Sequence, residues 1–263
     1  MSKISPRPSK EFVITGANSG LGLALIKELV SNYTVGRIIG FGWLRPGETL
    51  DPIFNLGRVE FISSDFNEGR SGIERAINAN KSLFGEYLDV LVNCAGVNLI
   101  DWLPHLEEAD VERLYRVNTF SVLYMTQAML PLLQSSPGGG TVLNVVSNAY
   151  RMPMTHSWIY NGTKGAAAIA TRQMARELEK THGICVFGIC PNKMSETQMS
   201  EYIEGRVCEM RGWTKEEAAK YQAQALVPGF ETKTEWIAEL LAWLLIKPRR
   251  HKYLSGCLLE TGY

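Results

Sequence analysis

Tyr160 and Lys164 stand four residues apart in the run Tyr160-Asn161-Gly162-Thr163-Lys164. On an α-helix that spacing puts both side chains on one face, one turn apart. A phenol is a poor acid or base by itself, with a reference pKa of about 10. An ammonium a few ångströms away favours the phenolate and pulls that value towards neutrality. The pair is then suited to donating and abstracting a proton near physiological pH. The same spacing also arises as an exposed aromatic beside a solvated lysine, so its meaning rests on the rest of the chain. Two further polar residues are candidates for the same chemistry. Ser147 follows the apolar run Thr141–Val146, at the strand end where open α/β sheets hold their ligands. Asn118 interrupts a mostly apolar stretch that continues through Leu133. A buried mid-helix Asn is costly unless its amide is hydrogen-bonded; a satisfied surface Asn is the alternative.

The elements that would carry these residues can be read along the chain. Phe12-Val13-Ile14-Thr15 is a β-branched apolar run, and Gly16-Ala17-Asn18-Ser19-Gly20-Leu21-Gly22 follows it directly. A helical pattern, Leu23–Val30, comes next. Strand, glycine turn and helix in that order is the context of a phosphate-binding loop. Gly16 serves the tight turn, Gly20 the close approach of backbone to a pyrophosphate, and Gly22 the packing of helix on strand. Further strands are expected at 36–43, 59–63, 88–92, 141–146, 184–190 and 253–260, and helices at 70–84, 100–133, 160–180 and 232–246. Near-continuous apolar strands suit a parallel sheet buried on both faces. Six or seven strands alternating with helices indicate a Rossmann-type, doubly wound parallel sheet in a single α/β domain. Between 192 and 230 the sheet pattern lapses, and scattered Met and Trp residues suggest a segment covering a substrate site. Thr214-Lys215-Glu216-Glu217 is a capping box that opens a helix within it.

The end of the second strand bears on cofactor choice. An acidic residue there would bind the ribose 2′-hydroxyl of NAD, but Gly42 and Trp43 occupy the region and the first acid is Glu48. Arg45 is positioned in sequence to pair with a 2′-phosphate. This tilts the expectation towards NADP and leaves NAD open, with a solvated loop arginine as the alternative.

The 263 residues carry a formal net charge of +0. That balance leaves no basic footprint for nucleic acid. Neither Phe120–Leu133 nor Ile237–Ile246 is a membrane span, and the first ten residues carry no signal-like apolar run. Five cysteines lack metal or redox C-x-x-C spacing, as expected of reduced thiols in a cytoplasmic protein. No metal site is expected.

Taken together, these residues resemble the short-chain dehydrogenase/reductase family over nearly the whole chain. Thr15-Gly16-x-x-x-Gly20-x-Gly22 is similar to its cofactor loop. Asn93-Cys94-Ala95-Gly96 resembles its Asn-Asn-Ala-Gly stretch, with Cys94 as a departure. Asn118, Ser147, Tyr160 and Lys164 match its catalytic tetrad. Pro191 and Thr197 resemble its Pro-Gly-x-x-x-Thr region, with Asn192 in place of the glycine. The resemblance implies cofactor contacts from Gly16, Asn18, Ser19, Gly20, Leu21, Gly22, Trp43, Arg45, Asp65, Phe66, Asn93, Ala95, Gly96, Tyr160, Lys164, Pro191, Met194 and Thr197. It implies carbonyl–alcohol interconversion of a small molecule, with Tyr160 as acid/base and Ser147 steadying the substrate oxygen. Lys164 would hold the nicotinamide ribose, and Asn118 a proton-relaying water. It also implies a sheet of order 3-2-1-4-5-6-7 and a homodimer or homotetramer formed through the helices at 118–133 and 160–180. Two other functions share parts of the pattern. A nicotinamide-binding regulatory protein would share the fold, and a nucleotide-sugar epimerase or dehydratase would share the Tyr/Lys pair.

Overall fold

Alternating residues of each apolar strand face opposite sides of the sheet, and the chain uses both sides. Phe12, Ile14, Val90, Val92, Leu143 and Phe187 pack in one core, and Val13, Leu91, Val142 and Val186 in another. A computed structural model describes residues 9–224, 231–246 and 251–261. Residues 1–8 lie outside this description, as do 225–230 of the expected covering segment and 247–250.

In chain order the elements are β1 (Phe12–Thr15), α1 (Gly20–Asn32), β2 (Ile38–Gly42), β3 (Val59–Ser63), α2 (Gly69–Ala79), β4 (Val90–Asn93) and α3 (Glu108–Tyr115). A π-helical turn (Arg116–Phe120) leads into α4 (Ser121–Gln134), β5 (Thr141–Val145), α5 (Trp158–His182) and β6 (Cys185–Pro191). Next come β7 (Met194–Ser195), α6 (Gln198–Arg211), α7 (Lys215–Gln224), β8 (Thr232–Lys233), α8 (Thr234–Ile246) and β9 (Leu258–Thr261). The central sheet has the order β3-β2-β1-β4-β5-β6-β9, and every pairing in it is parallel. This is the expected Rossmann-type α/β architecture.

Leu25 and Leu29 of α1 join Ile237 and Leu241 of α8 over one face. Ile73 of α2, Met125 and Met129 of α4 and Leu178 of α5 cover the other. Strand order reverses between β1 and β4, and the crevice beyond their carboxyl ends is the natural ligand site of such a sheet.

Three local expectations change. The stretch 100–117 is helical only from Glu108, because Pro104 opens a separate 3-10 turn at Leu103–His105. The last strand begins at Leu258, after a 3-10 turn at His251–Leu254 and a left-handed Gly256 at φ +80. Met194–Ser195 and Thr232–Lys233 form a small second sheet that no sequence pattern announced. The capping box is present: Thr214 N–H donates to Glu217 Oε2 at 2.8 Å, and Glu217 N–H to Thr214 Oγ1 at 3.2 Å. Among the described residues no helix is long and apolar enough to cross a membrane.

Candidate active site

The glycine turn after β1 is built by backbone demands. Gly16 sits at φ +66, and a Cβ there would stand 2.9 Å from Ala95 Cα. Gly22 lies directly on the Gly16 carbonyl, so a side chain would collide with backbone. Thr15 Oγ1 accepts from Cys94 N–H at 2.9 Å and Ala95 N–H at 3.0 Å, tying the ends of β1 and β4 together. Helix α1 starts after Ser19 with no side-chain cap. Its first N–H groups and positive dipole end therefore face the crevice, as an anion requires.

A cavity of about 1000 Å³ runs from this turn across the strand ends to α6 and α7. Gly16, Asn18, Ser19, Gly20, Leu21, Trp43, Arg45, Asp65, Phe66, Ala95, Gly96, Ser147, Tyr160, Lys164, Pro191, Met194 and Thr197 all line it, as expected of them. Three expected residues do not. Gly22 supports the turn from behind. Asn93 donates through Nδ2 to Asn144 Oδ1 at 2.8 Å and Thr126 Oγ1 at 3.2 Å, inside the sheet's buried polar network. Its side chain follows the strand alternation away from the ligand side. Asn118, 1% exposed, sits behind the wall in the π-helical turn. It clamps the strap after β4, accepting from Val97 N–H at 2.8 Å and donating to the Val97 carbonyl at 2.9 Å and Thr163 Oγ1 at 3.0 Å.

The residues fit a dinucleotide: a glycine cradle closed to side chains, an uncapped helix N-terminus and a cavity reaching the far strand ends. At the end of β2, Gly42 and Trp43 stand where an acid would bind a ribose hydroxyl. Asn18 donates to the Trp43 carbonyl at 3.0 Å, and a Cβ on Gly42 would collide with its amide. Arg45 Nε lies 3.9 Å from Glu48 Oε1, while Glu48 Oε2 accepts from Arg45 N–H at 3.1 Å. Asp65 Oδ1 accepts from Asn67 N–H at 2.8 Å.

Tyr160 and Lys164 share one buried face of α5, with the Lys164 ammonium 5.6 Å from the phenol ring centre. Lys164 Nζ donates to the Val145 carbonyl at 3.0 Å. Burial pushes the Tyr160 pKa up to about 12, against a hydrogen bond with Ser147 that lowers it. Burial also pushes Lys164 down to about 8. The expectation that the lysine brings the phenol towards neutrality is therefore corrected. Desolvation penalises both charged forms, and the ammonium is engaged with a carbonyl rather than with the phenol oxygen.

The cavity is also lined by residues that sequence reasoning missed or only touched. Asn98, Asn148, Ser157 and Arg211 line it, together with His156. Nothing in the types or spacing of Asn98 and Arg211 singles them out. They line one cavity because the strap after β4 lies against α6, where Ile100 N–H donates to Tyr202 OH at 3.4 Å.

Topology and cavity together define the chain as a Rossmann-type α/β protein whose crevice fits a dinucleotide. Within that class it belongs to the short chain dehydrogenase family, which it matches over residues 10–206. It is 30% identical to an uncharacterised oxidoreductase of Staphylococcus epidermidis over 194 residues, 73% of this chain and 80% of that protein. It is 28% identical to sorbitol-6-phosphate 2-dehydrogenase of Klebsiella pneumoniae over 257 residues, covering 93% and 91% of the two chains. Its fold is similar to that of L-sorbose reductase from Gluconobacter frateurii, solved with NADPH and L-sorbose. That match has a TM-score of 0.82 and 21% identity, over 97% of this chain and 95% of that one.

Proposed function

We propose that the chain is a reductase or dehydrogenase that interconverts a carbonyl and an alcohol on a small molecule, using NADP(H) in preference to NAD(H). The reading rests on the Tyr160 phenol, buried at the cavity wall, hydrogen-bonded to Ser147 and one helical turn from Lys164. When bound, the nicotinamide supplies or accepts the hydride. The protein's residues do the rest. Tyr160, protonated at neutral pH, gives its proton to the carbonyl oxygen in reduction and takes it back in oxidation. Ser147 donates to the same oxygen as negative charge develops there. Lys164 carries positive charge below about pH 8 and makes a neighbouring phenolate less costly once the phenol has lost its proton. Asn118 acts as a positioning residue, holding the Val97 strap and Thr163. Residues of α6 and α7 cover the substrate end as part of a single domain.

The NADP preference is supported by Gly42 and Trp43 standing at the end of β2 in place of an acid, and by Arg45 in the cavity wall. A 2′-phosphate would replace Glu48 as the partner of Arg45 and bind it more strongly than a hydroxyl does. The chain would work as a homodimer or homotetramer formed through α4 and α5.

The test is Tyr160→Phe, assayed for turnover against a carbonyl panel and titrated with NADPH and NADH by fluorescence. Turnover should fall by roughly 10²–10⁴-fold, with cofactor affinity kept and NADPH bound more tightly than NADH. Undiminished turnover would reject the role of Tyr160, and equal affinity for the two cofactors would reject the preference.

A further inference from the structure

Arg211 ends α6 and lines the cavity. Its guanidinium is held flat by two rings, 4.6 Å from the centre of Trp213 and 5.3 Å from that of Tyr221. Nε and Nη2 both point at His156 Nε2, at 3.1 and 3.0 Å. An imidazole nitrogen that accepts is unprotonated. Burial and then the Arg211 charge hold the His156 pKa below its usual value. His156 therefore orients the arginine without neutralising it. Among the described residues no carboxylate pairs with Arg211. Asp101, the acid that acts on His156, is engaged by Trp102 N–H, His105 and Arg206. The carboxylates lining the cavity, Glu48 and Asp65, belong to the β2 and β3 ends.

Asn98, 8% exposed, also lines the cavity, but its Nδ2 is sealed from it and is not available to a ligand. Its Oδ1 already accepts from Leu99 N–H at 2.8 Å. The cavity wall thus offers a fixed cation, and Met152, Met154 and Met199 line the same cavity. An uncompensated, part-buried guanidinium with fixed donors is matched by an anionic oxygen group.

We infer that the substrate is an apolar carbonyl compound carrying an anionic group, a carboxylate or a phosphate, which Arg211 binds while the carbonyl lies at Tyr160. This rests on the reductase reading above and narrows it to a substrate class. The thioether-lined space takes the apolar part of the molecule, and the aromatic shelf keeps the guanidinium pre-oriented, which lowers the ordering cost of binding. Charge at the far end would discriminate through KM rather than kcat, because the interaction is made equally in ground and transition states.

The experiment uses methyl-ketone carboxylic acids of increasing chain length, each paired with its methyl ester and with the matching phosphate monoester. All are assayed with NADPH and NADH on the wild-type chain, Arg211→Ala and Arg211→Lys. At one chain length an acid or a phosphate should exceed its neutral ester in kcat/KM by about tenfold or more, mainly through KM. Arg211→Ala should bring that ratio close to one, and Arg211→Lys should keep part of it. Whichever anion gives the larger ratio names the group. A ratio near one at every length, or a preference that survives in Arg211→Ala, overturns the inference. If Arg211→Ala does not fold, as judged by its melting temperature, Arg211→Gln takes its place. Calorimetric binding of each acid, phosphate and ester to the protein saturated with NADP⁺ separates the two levels of the argument. Arg211-dependent binding of an anion without any turnover keeps the anion site and rejects the reductase reading. Turnover of esters with no anion preference does the reverse, and absence of both binding and turnover overturns both.

Discussion

At the residue scale, the most consequential side chain is Lys164. It is 4% exposed, and burial brings its pKa down from 10.5 to about 8. The folded chain therefore releases this proton before the unfolded chain does. Between about pH 8 and 10.5 the unfolded state holds more protons, and this lysine's contribution to stability rises with pH across that window. Below about pH 8 the desolvation cost is present in full. Tyr160 acts in the opposite direction and higher up: raised from 10 to about 12, it makes stability fall with pH between those values. Lys164→Met removes the lower transition alone. The urea midpoint of Lys164→Met relative to wild type, measured without cofactor, should be most favourable near neutral pH. The gap should then narrow steadily towards about pH 10. A gap that does not change with pH would show that Lys164 is not desolvated as the structure indicates.

At the element scale, the π-helical turn at Arg116–Phe120 matters most. It shifts the register between α3 and α4 and delivers Asn118 to the Val97 strap. Such turns recur at functional sites because the extra residue re-aims a side chain. Asn118 satisfies the N–H and carbonyl of Val97 at once. In Asn118→Ala those groups lose their partner, at about 1–3 kcal/mol for a buried group left unsatisfied. A drop of on the order of 2 kcal/mol in unfolding free energy is expected, read from a lower urea midpoint at unchanged slope. An unaltered midpoint would mean that the strap is held by other contacts. The turn itself was not readable from sequence. The one sign of it was a polar residue inside an apolar run, and a π turn differs from an α turn only in which carbonyl each N–H meets.

At the scale of the whole molecule, the proposed assembly is tested at exposed apolar residues of α4, α5 and the turn before α4. Phe120, Leu123 and Trp158 are exposed, and Ile169 is 64% exposed on the middle of α5. These side chains are the ones the proposed association through α4 and α5 would cover. Ile169→Glu should sediment as a single protomer at concentrations where the wild-type chain sediments as a dimer or tetramer. A wild-type chain that is itself a monomer would sink the proposed assembly.

Some features were legible because they are local. The glycine turn follows from the residues that can adopt left-handed backbone and from a strand and a helix adjoining in sequence, and the Tyr160/Lys164 pair follows from helical periodicity. Apolar runs bounded by turns were enough for the sheet, although the extent of the helix expected at 100–133 and the start of the last strand were misread. Tertiary structure decided what distance in sequence conceals: that Asn93 faces the buried network and not the ligand, that desolvation raises the Tyr160 pKa, and that Arg211 and His156 meet at one wall. Periodicity reports which way a side chain points along its own element. Burial and electrostatic balance depend on atoms brought in from other elements, and only the folded chain contains that information.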